Sequence, residues 1–263
     1  MALFGPTYNR SCDGSNCWGE QIGSIEAAPN PYTEVDGVLI VLPIVSGDLI
    51  VDPFTVMNTI GLVAFAFVGA TKAIRERFDL FGIAVVGLAT AFAGGTTRDL
   101  LVDRVPLALS SPIEIALGML GVALAVGVSV AVDDADQHPV TLLADAIGLA
   151  AFTTAGAIVA TDVGIPGFGI VAIAIINAVG GGALADVLLN RSPFILLDDF
   201  YASCAFLGGG VYWIASLAAG SGNLAAGLCA AVTVGVRVAA LTFGWDLPTV
   251  QQLGLVYKTG NER

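Results

Sequence analysis

Two short stretches hold the residues whose types and spacing could do chemistry: 93–99, AGGTTRD, and 180–186, GGGALAD. Each is a glycine run, Gly94-Gly95 in the first and Gly180-Gly181-Gly182 in the second, followed by an aspartate, Asp99 or Asp186. Inside a helix glycine costs up to about 1 kcal/mol relative to alanine, and adjacent glycines are common at kinks. A helix broken there would free carbonyl groups able to replace part of an ion's hydration shell. Thr90 and Asn177, one helical turn before the glycines, add side-chain oxygens, and Arg98 stands beside Asp99. The same glycines would equally serve close packing of helices. Arg98 with Asp99 would equally anchor a helix end at a membrane surface.

Other chemistries find little support. There is no Walker loop, no GxSxG elbow and no zinc-binding histidine pattern, and the one histidine, His138, sits in an acidic loop. Neither enzymatic activity nor a cofactor nor a bound metal is expected. Cys204 and Cys229 lie in apolar stretches and read as small buried residues, whereas Cys12 and Cys17 flank a polar segment and would form a small disulfide loop in an oxidising exterior.

The elements that must position these residues follow from composition. The chain has 263 residues, 56% hydrophobic and 12% charged, with a mean hydropathy of +0.85. That is too little polar surface to cover a water-soluble globule, so lipid must solvate most of the chain. A formal net charge of −12 is reached with only two lysines, Lys72 and Lys258. An acidic, lysine-poor exterior stays hydrated where salt screens repulsion, which points to a halophilic, archaeal source.

A bilayer core takes about 20 apolar residues of helix. The distances between charges predict seven spans: Phe54–Thr71, Leu80–Thr97, Ile115–Val132, Val140–Thr161, Val163–Leu189, Phe200–Ala219 and Asn223–Trp245. Residues 1–52 read as a partly ordered extension without a signal peptide, and its apolar run Gly37–Ile44, cut by Pro43, is too short to span. Basic residues collect on the cytoplasmic side of membrane proteins. Lys72, Arg75, Arg77, Arg191, Lys258 and Arg263 all fall on one side, placing the N-terminus outside and the C-terminus in the cytoplasm of a multi-pass cell-membrane protein. Arg237, inside the seventh span, is expected to snorkel to the cytoplasmic surface.

The sequence repeats itself at a constant, gap-free offset of 87 residues. Residues 58–70, NTIGLVAFAFVGA, match 145–157, DAIGLAAFTTAGA, and 94–106, GGTTRDLLVDRVP, match 181–193, GGALADVLLNRSP. Thr90 pairs with Asn177 and Asp99 with Asp186. A unit with an odd number of spans forces the second copy to enter from the opposite side, so the repeats are inverted, as in many transporters and some channels. The fold class is an all-α membrane protein of two inverted three-helix repeats, 53–139 and 140–222, with a seventh helix and tail at 223–263.

With these motifs in place the chain resembles the trimeric intracellular cation channel (TRIC) family and its prokaryotic relatives, including bacterial membrane proteins described as glycine transporters. The resemblance spans about residues 54–243. It implies a homotrimer, surrounded by membrane lipid, in which each protomer has a potassium-permeable pore lined by two helices kinked at Gly94, Gly95, Gly180, Gly181 and Gly182. Arg98 and Asp99 match the family motif, while the second unit has Ala185 where arginine is usual and the first has Ala93 where a third glycine is usual.

The leading reading is a monovalent cation channel, and the alternative is a secondary transporter of a small solute such as glycine. Either way, leucine in place of Gly95 or Gly181 is expected to abolish transport in a protein that still folds, which flux into liposomes would measure.

Overall fold

In lipid no water satisfies exposed amide and carbonyl groups, so a spanning chain must bond its backbone internally. A computed structural model describes residues 52–131, 139–193, 195, 200–219 and 221–245 and shows helices and turns throughout them, with no strand. The helices are α1 (Pro53–Arg75), α2 (Leu80–Leu101), α3 (Leu107–Ser110), α4 (Pro112–Ala131), α5 (Pro139–Asp162), α6 (Gly167–Leu188), α7 (Tyr201–Ala219) and α8 (Gly222–Phe243). All but α3 are long and apolar enough to cross a membrane, which gives the seven expected spans. The extension with Cys12, Cys17 and Gly37–Ile44, the acidic loop with His138, and the C-terminal tail lie outside the described residues.

Local chemistry sets the ends of the helices. The Asp52 carboxylate accepts from Phe54 N at 3.4 Å and Thr55 N at 3.0 Å, and Pro53 takes the first helical position, where its missing N–H is harmless. Asp79 caps α2 through Gly82 N at 2.7 Å. Gly244, at φ 60°, ends α8 and donates its N–H to Ala240 O.

Two helices run four residues past their expected ends, α1 to Arg75 and α2 to Leu101, and two helix starts differ from expectation. The fifth span begins at Gly167, not Val163, because Gly164 adopts φ 75° and Pro166 stands at the N-cap. The third begins at Pro112, and the segment before it forms the short α3 between Pro106 and Ser111.

The 87-residue repeat is visible as matching turns. Arg77 (φ 59°) and Gly164 (φ 75°) are 87 residues apart, as are Asp103 (φ 56°) and Asn190 (φ 54°). Each left-handed residue closes a helix with the same bonding. Phe78 N donates to Ala73 O at 3.2 Å as Ile165 N does to Ala160 O at 3.0 Å. Arg104 N donates to Asp99 O at 2.8 Å as Arg191 N does to Asp186 O at 2.8 Å. These are Schellman closures, which satisfy the carbonyls that a helix end leaves open.

The core shows the same symmetry as exchanged contacts. A Cβ on Gly61 would collide with the Phe152 ring, and one on the equivalent Gly148 would lie 2.6 Å from Phe65 Cδ1. The two phenylalanines, themselves equivalent, meet edge to face with ring centroids 5.1 Å apart at 80°. A contact between equivalent residues, flanked by crosswise contacts, is what a two-fold axis between α1 and α5 produces.

Because Phe65 and Phe152 are partners in one contact on that axis, Phe65→Ala and Phe152→Ala should lower stability by similar amounts, about 3–5 kcal/mol each. The double variant should cost less than the sum. Reversible unfolding in detergent measures all three.

Candidate functional site

The axis passes on between α2 and α6. A Cβ on Gly94 would strike the Asn177 carbonyl, one on Gly181 would strike the Thr90 carbonyl, and one on Gly180 would lie 3.2 Å from Gly94 Cα. The two helix backbones therefore touch, and each glycine faces the carbonyl one turn before the other. The expected breaks do not interrupt either helix: α2 and α6 run continuously through their glycines. Here the glycines remove side chains so that the backbones can meet, and the carbonyls keep their helical bonding. Gly182 is buried in the same turn of α6.

The polar residues expected near the glycines lie at this crossing. Thr90, 2% exposed, returns its hydroxyl to Val86 O at 2.7 Å. Asn177, 0% exposed, donates Nδ2 to Phe152 O at 2.6 Å, while its Oδ1 has no hydrogen-bond partner. The donated bond fixes which way the amide faces. Oδ1 then lies 3.9 Å from where a Gly95 Cβ would stand, and Arg98 Nη2 lies 3.8 Å from the same point. Gly95 thus opens a small space between a buried acceptor and a guanidinium.

Two polar groups flank the crossing, one toward each end of the repeat. Toward the first, Arg98 reaches Asp99 Oδ1 through Nε at 2.8 Å and Nη2 at 2.7 Å, and packs 5.4 Å from the Phe54 ring centroid. Asp99 Oδ2 accepts from Leu107 N at 3.2 Å, so α3 is tied to the end of α2. Asn58 donates to both oxygens of Glu114 at 2.9 and 3.1 Å. Toward the other end, Lys72 meets Asp186 at 2.9 Å, and Tyr201 donates its hydroxyl to Asp145 at 3.0 Å.

The two groups correspond residue for residue: Asn58 with Asp145, Glu114 with Tyr201, Arg98 with Ala185, and Asp99 with Asp186. Lys72 supplies the cation where Ala185 cannot. The sequence places it in a loop, but α1 continues to Arg75 and carries its ammonium into the protein. Arg237 does not snorkel. It is 5% exposed, 3.6 Å from Asp145 and 4.6 Å from the Tyr201 ring centroid, because a carboxylate and an aromatic face stand within reach.

Asn58, Glu114, Asp145 and Tyr201 are not singled out by sequence reasoning. The signal that finds Asn58 and Asp145 is the repeat itself, where they open the aligned blocks. Glu114 and Tyr201 share the same offset but differ in chemistry. Among the described residues no three or more side chains gather as metal ligands.

A family described as glycine transporter matches residues 55–130 and 142–216. A UPF0126 membrane protein of Deinococcus radiodurans is 36% identical over 162 residues, 60% of this chain and 74% of its own. The UPF0126 membrane protein YvgT of Bacillus subtilis is 32% identical over 207 residues, 73% of this chain and 94% of its own. Among solved structures, a TRIC cation channel superposes with a TM-score of 0.67 at 36% identity, covering 74% of this chain and 96% of that one. A TRIC trimeric intracellular cation channel orthologue from Rhodobacter sphaeroides gives 0.67 at 30% identity, with 73% and 98% covered.

The crossing changes one expectation: leucine at Gly181 would drive into the Thr90 backbone and disturb the fold, whereas Gly95 has room for a Cβ. Arg98→Ala leaves the Asp99 carboxylate, 3% exposed, without its guanidinium and should cost about 3–5 kcal/mol. Arg98→Lys, which lacks the planar fork, should recover only part of that in the same unfolding measurement.

Proposed function

We propose that this chain, which belongs to the family of TRIC cation channels and their prokaryotic relatives, conducts monovalent cations, potassium foremost, along a path past the crossing of α2 and α6. Asn177 carries this reading. A buried carbonyl-type oxygen, oriented by its own amide bond and lacking a partner, lies beside the space opened by Gly95. Oxygens of this kind replace the hydration shell of a permeating ion. Gly94, Gly95, Gly180, Gly181, Gly182, Thr90 and Asn177 form the narrow part in this reading, with Arg98–Asp99 and Lys72–Asp186 at its two ends.

The assembly is a homotrimer in lipid with one path per protomer, a reading supported by the trimeric channel among its structural neighbours. The N-terminus is outside and the C-terminus cytoplasmic. Residues 53–139 and 140–222 act as the two halves of the path, and 223–263 as an added helix and tail. The acidic, lysine-poor composition fits a salt-rich, archaeal source, while the relatives named above are bacterial.

A second reading, transport of glycine, has its own support. Arg98 Nη1 is a buried donor without a partner, and with Asn177 Oδ1 it would suit the carboxylate and the amine of a small amino acid.

Planar-bilayer recording of the purified protein under a potassium gradient separates the two. Discrete potassium-selective steps are expected, and Gly95→Leu should lower their conductance in a protein of unchanged thermal stability. Electrical silence together with saturable glycine uptake into liposomes would overturn the channel reading in favour of the transporter.

A further inference from the structure

The two ends of the path are equivalent in backbone but not in charge. At the first-repeat end Arg98 stands against two carboxylates, Asp99 and Glu114. At the other end two cations, Lys72 and Arg237, stand against two carboxylates, Asp186 and Asp145. The carboxylates trade places at two pairs of equivalent positions, Glu114 facing the neutral Tyr201 and Asn58 facing Asp145, so the net difference is the second cation, Arg237, which α8 adds from outside the repeat.

Glu114 is the carboxylate left over. Both its oxygens accept from the neutral Asn58 amide, and among the described residues no basic side chain lies within ion-pair distance of it. It is half-buried in the first turn of α4 and lines a recess together with Gly95, Thr96, Arg98 and Asp99. Past Gly95 stands the Asn177 Oδ1 acceptor without a partner. The equivalent threonine, Thr90, spends its hydroxyl proton on its own helix. Its oxygen can still accept, so the difference in charge is what favours this end for a cation.

We propose that Glu114 is the residue that selects cations for the path, and that its lack of a counterpart at the other end makes conduction unequal in the two directions. This rests on the channel reading. A cation at the recess meets a carboxylate without an ion-pair partner before it reaches Asn177, and on the orientation proposed above it does so from outside. One unit charge at about 4 Å in a water-like medium raises local cation occupancy about fivefold. The effect weakens as the screening length falls from about 10 Å near 0.1 M salt to about 3 Å near 1 M.

The test is single-channel recording of the full chain, wild type, Glu114→Gln and Glu114→Asp. Glutamine keeps an oxygen for Asn58, so a purely structural role would survive the change. The wild type should pass unequal currents at opposite voltages in symmetrical potassium chloride, with the inequality fading as salt rises. Glu114→Gln should remove most of it and lower the potassium-to-chloride permeability ratio several-fold, and Glu114→Asp should retain both properties. A conducting wild type whose Glu114→Gln variant has the same reversal potential and the same current ratio would overturn the assignment while leaving the channel reading intact. A silent wild type would instead overturn the channel reading, and this assignment with it.

Discussion

The contact between the backbones of α2 and α6 is the constraint that the rest of the structure must meet. With Gly94 against the Asn177 carbonyl and Gly181 against the Thr90 carbonyl, no side chain separates the helices, and any residue larger than glycine forces them apart. In a bilayer, where lipid tails are as apolar as leucine, such close approach is a main source of helix association. The crossing fixes which residues stand on either side of it. Asn177 Oδ1 and Gly95 face the same narrow region, while the Thr90 hydroxyl lies against Gly69 of α1.

Buried charge is the second constraint, and the crossing explains how it is tolerated. Ionisable groups within membrane spans are costly unless they are paired or face an aqueous cavity. Asp99 and Asp186 occupy equivalent turns but are neutralised differently, one by its own neighbour Arg98 and the other by Lys72 from α1. The strict repeat of the backbone therefore coexists with a repeat of charge that is only approximate. Departures from symmetry concentrate in the charged groups on either side of the crossing, whereas the turns at Arg77, Gly164, Asp103 and Asn190 keep the same hydrogen bonding.

Much of this was legible in the sequence, for a physical reason. Spans are written in continuous apolar runs, and an inverted repeat is written in a constant offset, so the seven long helices and the equivalence of Thr90 with Asn177 could both be read. What glycine pairs do could not be read the same way. Adjacent glycines weaken a helix and also permit contact, and only the neighbour across the crossing decides between these outcomes. Lys72, Arg237 and Glu114 were hidden for a related reason. Their partners lie on other helices, and spacing along the chain carries no record of which helix faces which. The start of α6 failed to match because an apolar count ignores a left-handed glycine followed by a proline at the N-cap.

The provenance of the two cations bears on how the halves relate as units of inheritance. The second half carries Val159 where the first carries Lys72, and Ala185 where the first carries Arg98. A dimer of two second halves would bring neither basic side chain to either aspartate. A dimer of two first halves would bring both to each, with Glu114 as the second carboxylate. An ancestral half-length chain, able to insert in either direction and pair with its own copy, could have used one half for both roles. The present second half cannot, since it depends on the first for Lys72 and on α8 for Arg237.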